Sequence, residues 1–176
     1  MILDGILERN MVFSYLYRLT NNHAYLLTGI ALISLYACQL VLNLRWEWLD
    51  NLQSDEVYKQ FTGFIVFAYV LMQSRLGLQR VRGSSASLSQ LHYSHKIQGV
   101  FGPVVFYLHS IDIGFAYQVI LTFAFLGNCI IGYLSPHTIP IKNKLYYLGW
   151  TILHISLAIM TFVLILFHIF VVYYYS

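Results

Sequence analysis

LYYLGWTILHISLAIMTFVLILFHIFVVYYY, residues 145–175, runs without a single Asp, Glu, Lys or Arg and carries two histidines, His154 and His168. About 20 apolar residues suffice for a transmembrane helix, so this stretch can cross a bilayer tilted or project past it. Fourteen steps of an α-helix return a side chain to within about 40° of its starting direction and carry it about 21 Å along the axis. His154 and His168 therefore share one helix face at two depths. The same spacing separates His95 and His109 in an earlier apolar segment. With seven histidines in 176 residues, roughly 0.3 such pairs are expected by chance, so two argue for design. Polar side chains inside a membrane are expensive and usually face a partner. If the two helices face each other, His95 meets His154 and His109 meets His168.

Composition sets the class. The chain is 59% hydrophobic and only 10% charged, with mean hydropathy +0.65, whereas soluble domains carry about 25% charged residues. An integral membrane protein of one domain follows, an all-α helical bundle. A net charge of +3, scattered along the chain, gives no footprint for nucleic acid. Cys38 and Cys129 lie singly in apolar runs, a pattern that excludes a CxxC haem attachment or an iron–sulfur cluster and suits small buried hydrophobes. The first residues lack the pattern of a secretory signal, so the spans themselves are expected to direct insertion.

About five spans are expected. Residues 1–20 alternate apolar and charged positions at helical spacing and read as an interfacial amphipathic segment or, equally, a partner-binding arm; residues 21–176 form the bundle. The spans run from Ala24 to Leu44, from Phe61 to Ser74 plus flanks, from His95 to Ile111, from Ile113 or Gly114 to Leu134, and from Leu145 to Tyr175. The links are a mixed acidic loop around Asp50, Asp55 and Glu56, a Ser/Gly loop with Arg75, Arg80 and Arg82, and a loop around Pro136, Pro140, Lys142 and Lys144. Lys and Arg excess marks the cytoplasmic side, which puts the N-terminus inside and the C-terminus outside. The two histidine-bearing spans then run in the same direction, His95 and His154 on the inner side and His109 and His168 on the outer.

Neutral imidazole is a good iron ligand, and two imidazoles complete a six-coordinate haem with no open position. The four histidines are thus candidate metal ligands for two b haems, a pairing suited to electron transfer. Gly99 and Gly102, between His95 and His109, permit close approach of either a porphyrin or another helix. Arg82 and Lys96, with Arg75 and Arg80, lie at the inner depth, where they can pair with haem propionates or with lipid head groups. Lys142 and Lys144 suit the same roles or a cytoplasmic partner. Thr161, on the His154–His168 face, is expected to hydrogen-bond its own backbone. His92 sits about 100° off the His109 face and is a poorer ligand than His95. His23 and His137 read as interfacial, with a quinone as a further candidate ligand. The tyrosines near the C-terminal end fit an aromatic belt.

His95-Lys96-Ile97-Gln98-Gly99 followed by His109 resembles the HKxxG...H helix of the ferric reductase-like transmembrane superfamily, and His154 and His168 resemble its second ligand helix, two spans later. The resemblance covers roughly residues 61–173. It implies a helical bundle carrying two b haems and passing electrons from a donor on one side to an acceptor on the other. Departures accompany it: the family core has six spans where five are expected here, and the flavin and NADPH domains of many members have no counterpart in this sequence. Electrons would then come from a separate reductase subunit or a quinol. The haem helices of respiratory cytochrome b have similar spacing, but no PEWY motif occurs. Three functions follow as expectations: a di-haem b-type electron-transfer subunit working with separate redox partner subunits among membrane lipids, a quinol-reactive cytochrome b subunit, or a cofactor-free structural subunit whose histidines serve packing.

Overall fold

The computed structural model describes residues 24–83, 88–139 and 141–175, and their regular structure is entirely α-helical, with no strand among the described residues. The helices are α1 (Ala24–Val41), α2 (Glu47–Ser54), α3 (Glu56–Val81), α4 (Leu88–Val100), α5 (Gly102–His109), α6 (Tyr117–Tyr133) and α7 (Lys144–Tyr174). By length and apolarity α1, α3 and α7 can each cross a membrane, while α6 is apolar but shorter. The amphipathic segment expected over residues 1–20 lies outside the described residues, as does His23.

Helix ends differ from the expected ones for local reasons. The first helix stops at Val41 because Asn43 adopts φ +49. There the Leu44 N–H donates to the Gln39 carbonyl at 3.0 Å and the Asn43 N–H to that of Leu40 at 3.3 Å, a Schellman turn with Asn at the left-handed position. The expected acidic loop contains a helix, α2, which buries Leu49 and Gln53. Gln53 Nε2 donates to the carbonyls of Tyr107 and Leu108, and its Oε1 accepts from the Ile111 N–H. One side chain thereby satisfies the orphan groups at the end of α5. α3 does extend into its flanks, started by Asp55, whose carboxylate accepts from the Tyr58 N–H at 2.8 Å. The fourth expected span begins at Tyr117, since Gly114 (φ +86) and Ala116 (φ +52) carry the chain through left-handed conformations first. At Gly114 a Cβ would fall 2.6 Å from that of Gln118.

The main departure is in the span expected from His95 to Ile111, which starts at Leu88 and is interrupted at Phe101. Pro103 causes it: proline has no N–H for the carbonyl of Gly99 and its ring crowds that carbonyl. The freed acceptors find hydroxyls from neighbouring helices. Tyr133 Oη on α6 faces the carbonyls of Gly99 at 3.3 Å and Val100 at 3.1 Å, and Tyr69 Oη on α3 donates to that of Gln98 at 3.3 Å. Gly102 makes the crossing close, since a Cβ there would stand 2.7 Å from Cys129 Sγ and 2.9 Å from Tyr69 Oη.

Around this break the core assembles from Tyr36, Val66, Tyr69, Phe106 and Phe125; Phe106 and Phe125 stack with centroids 5.3 Å apart. A second cluster, Tyr25, Val100 and Tyr133, packs above it. α7 packs along α6 and is tied to it by Trp150 Nε1, which donates to the Ile131 carbonyl, and by Tyr146 Oη, which donates to that of Leu134. Much of α7 remains exposed, including Ile152, Ile159, Val163 and Phe170, a surface suited to lipid.

Tyr133→Phe leaves two kink carbonyls without their donor and is expected to destabilise the folded protein by about 1–3 kcal/mol, read by denaturant unfolding in detergent micelles. Gly102→Ala overpacks the crossing at a cost of about 1–3 kcal/mol. Adding Cys129→Ala, which removes the nearest atom, should recover a large part of that loss in the same assay.

Candidate functional site

His95 stands on α4, His109 is the last residue of α5, and His154 and His168 lie on α7. The structure brings them together as two pairs. The rings of His95 and His154 have centroids 6.1 Å apart with planes at 85°, and those of His109 and His168 are 6.4 Å apart at 78°. The kink at Phe101 does not disturb the register, and α4–α5 runs in the same direction as α7. These separations have a chemical meaning. An imidazole nitrogen sits about 2.0–2.1 Å from a bound first-row metal such as zinc, and the ring centre lies about 1.2 Å further, so two trans ligands place their centroids about 6.4 Å apart. A direct N–H···N bond of about 2.9 Å would place them near 5.2 Å. The third pair, His92 and His137, has that shorter separation, 5.2 Å; His92 thus pairs with the loop histidine and not with His154 or His168.

The ring nitrogen that meets a protein partner decides what the other one can do. His95 Nδ1 lies 3.1 Å from the Gln73 carbonyl, which only accepts, so Nδ1 carries the proton and Nε2 keeps its lone pair. His109 Nδ1 lies 3.1 Å from Thr62 Oγ1. The single Thr62 proton is already directed at the Tyr58 carbonyl, 2.8 Å away, so here too Nδ1–H donates. His168 Nδ1 meets Tyr117 Oη at 3.1 Å. His154 differs: its Nδ1 is buried without a partner of full hydrogen-bond geometry, with the Asn128 main chain close enough to act on the ring, and Trp150 stacks over it. None of these partners was among the candidates from sequence. Two signals point to them: Trp150 precedes His154 by four residues, one helical turn, and Thr62 and Gln73, eleven apart on α3, share a face.

Space accompanies the outer pair. A cavity of about 990 Å³ surrounds the outer pair, walled by His109, His168, Gly63, Phe106 and Ile165, at the upper end of the range for cofactor pockets. Its mouth carries Arg45, Asp50, Glu56, Lys59 and Asp112, with Arg45 bridging Asp50 at 3.3 Å and Asp112 at 2.9 Å. Glycines face the rings: a Cβ at Gly63 would stand 3.2 Å from His109 Cε1, and one at Gly132 would stand 3.5 Å from His154 Cε1. Gly99 has open space before it, whereas at Gly102 the close approach is to Cys129 and Tyr69, between helices. Thr161 does not bond its own backbone; its hydroxyl, like Asn128 Oδ1, is buried without a partner. Such atoms cost about 1–3 kcal/mol each when left unpaired, and both lie on the helices that carry or flank the α7 histidines.

Of the basic candidates, Arg82 is exposed at the end of α3, and Lys96 Nζ sits 4.4 Å over the Tyr25 ring. Arg80 is the one whose charge acts on His95 and His154, and Lys59 acts on His109 and His168. Among the described residues no group of three or more His, Cys, Asp or Glu side chains converges on one point. Comparison with protein-family models, with curated proteins and with solved structures gives no match.

Proposed function

We propose that the chain is a b-type cytochrome subunit of a membrane electron-transfer system, with His95 and His154 holding one haem and His109 and His168 the other. The observation that carries this reading is the pairing itself: rings at trans-ligand separation, with Nδ1 of His95 and of His109 committed to an acceptor, so that Nε2 is the free donor nitrogen. Outward hydrogen bonds of this kind fix the tautomer and plane of metal-binding imidazoles and raise their basicity. When bound, haem b supplies a one-electron couple at each pair. The chain's own residues orient the ligands and set their spacing at about 21 Å along the helix axis.

Counting α1, α3, α4–α5, α6 and α7 as crossings gives five passes. With five passes, Arg75, Arg80, Arg82, Lys96, Lys142 and Lys144 belong to one end, and Arg45 and Lys59 belong with the carboxylates of the described residues to the other, so Lys and Arg are in excess at the first. By the positive-inside rule the first end is cytoplasmic, with the N-terminus on that side and the C-terminus opposite. Donor and acceptor are separate partners, one at each end. This is the activity implied by the resemblance to the ferric reductase-like superfamily.

Purified protein should show a reduced-minus-oxidised b-type spectrum and two haems per chain by pyridine haemochrome. His95→Ala and His168→Ala should each lose one haem and keep the other; intact folded protein without haem, or both variants retaining two, overturns the proposal. Thr62→Val removes the acceptor behind His109 and should speed transfer of the outer haem to apomyoglobin by about 10- to 100-fold, the usual effect of losing such a partner, with the inner haem unaffected.

A further inference from the structure

The two histidine pairs are held differently. Both outer rings have an oxygen at Nδ1, Thr62 Oγ1 for His109 and Tyr117 Oη for His168. In the inner pair only His95 has one, the Gln73 carbonyl. His154 is held instead by Trp150, whose indole lies nearly parallel to the imidazole, with centroids 5.3 Å apart and planes within 14°. The indole is itself anchored, its Nε1–H donating to the Ile131 carbonyl at 2.7 Å. A ring held by stacking has a defined plane, while its Nδ1, near the Asn128 main chain but without a bond of full geometry, receives less electron density than one with a well-aligned acceptor.

We propose that Trp150 is the positioning residue of the inner site, and that exchanging a hydrogen bond for a stack at His154 makes the inner haem the one of higher reduction potential. This rests on the di-haem reading above. An acceptor at Nδ1 makes imidazole a stronger donor and so favours ferric iron; the outer site has two such bonds and the inner site one. Charge works in the same direction. Arg80 acts on both inner histidines and Lys59 on both outer ones, each favouring the ferrous form, which carries one positive charge fewer, so the difference lies in the carboxylates. The outer cavity is lined by three carboxylates, Asp50, Glu56 and Asp112, against Arg45 and Lys59. The first electron to enter the protein therefore rests at the inner pair, whichever side it came from.

Redox titration of the haem-loaded protein, followed by absorbance and low-temperature EPR, tests this, with His95→Ala identifying the inner component. The inner component is expected to titrate at the higher potential. Trp150→Leu should keep two haems per chain while changing the potential and the low-spin g values of the inner component alone; Trp150→Phe, which keeps a stacked ring, should change them less. Should Trp150→Leu fail to fold, Trp150→Phe and Thr62→Val carry the test, the latter raising the outer component towards the inner. An inner component at or below the outer one overturns the inference, as do Trp150 variants that move both components or neither. Absence of haem from the wild-type protein is a different result, and overturns the di-haem reading instead.

Discussion

A polar group in an apolar helical bundle must find its partner inside the bundle, because no water is there to supply one. Much of the hydrogen bonding between helices follows from that constraint. Pro103 frees carbonyls in the middle of a helix, and tyrosines from α3 and α6 reach across to them. The end of α5 exposes two carbonyls and a nearby N–H, and Gln53 closes all three. Trp150 and Tyr146 of α7 both donate to carbonyls at the C-terminal end of α6. Aromatic side chains with one polar tip are well suited to this work, which gives the fifteen tyrosines of the chain a structural use beyond an interfacial belt.

Histidine is under the same constraint with one difference. It has two ring nitrogens, and a single protein partner leaves the other nitrogen facing the interior. At His95 and His109 the partner lies at Nδ1, which leaves Nε2 with its lone pair. The second ring of each pair stands 6.1 and 6.4 Å away between centroids, too far for a direct N–H···N bond.

What the sequence makes legible is whatever depends on spacing along one helix. The fourteen-residue interval of His154 and His168 survives any error in where α7 begins, and the same interval at His95 and His109 survives even the break at Phe101. The length of α3 is legible too, because fourteen apolar residues cannot cross a membrane alone. Contacts between helices are less so. α2 has only eight residues, and its role depends on Gln53 meeting a helix end more than fifty residues later. The acceptor behind His95 is the main chain of Gln73, which leaves no mark in the identity of that residue. Pro103 signals a break, but its outcome, a kink and not a helix end, depends on Tyr69 and Tyr133 being on hand. Gly102 illustrates the same limit: its identity announces close approach, and only the packing shows that Cys129 and Tyr69 are what approaches.

The placement of both α7 histidines has a consequence for assembly. α7 contributes one ring to each pair, and the rings they meet stand on α4 and α5. Until α7 is laid along α6, His95 and His109 have no counterparts. Both pairs are therefore completed by a single packing event, the docking of one helix, and neither can form without the other.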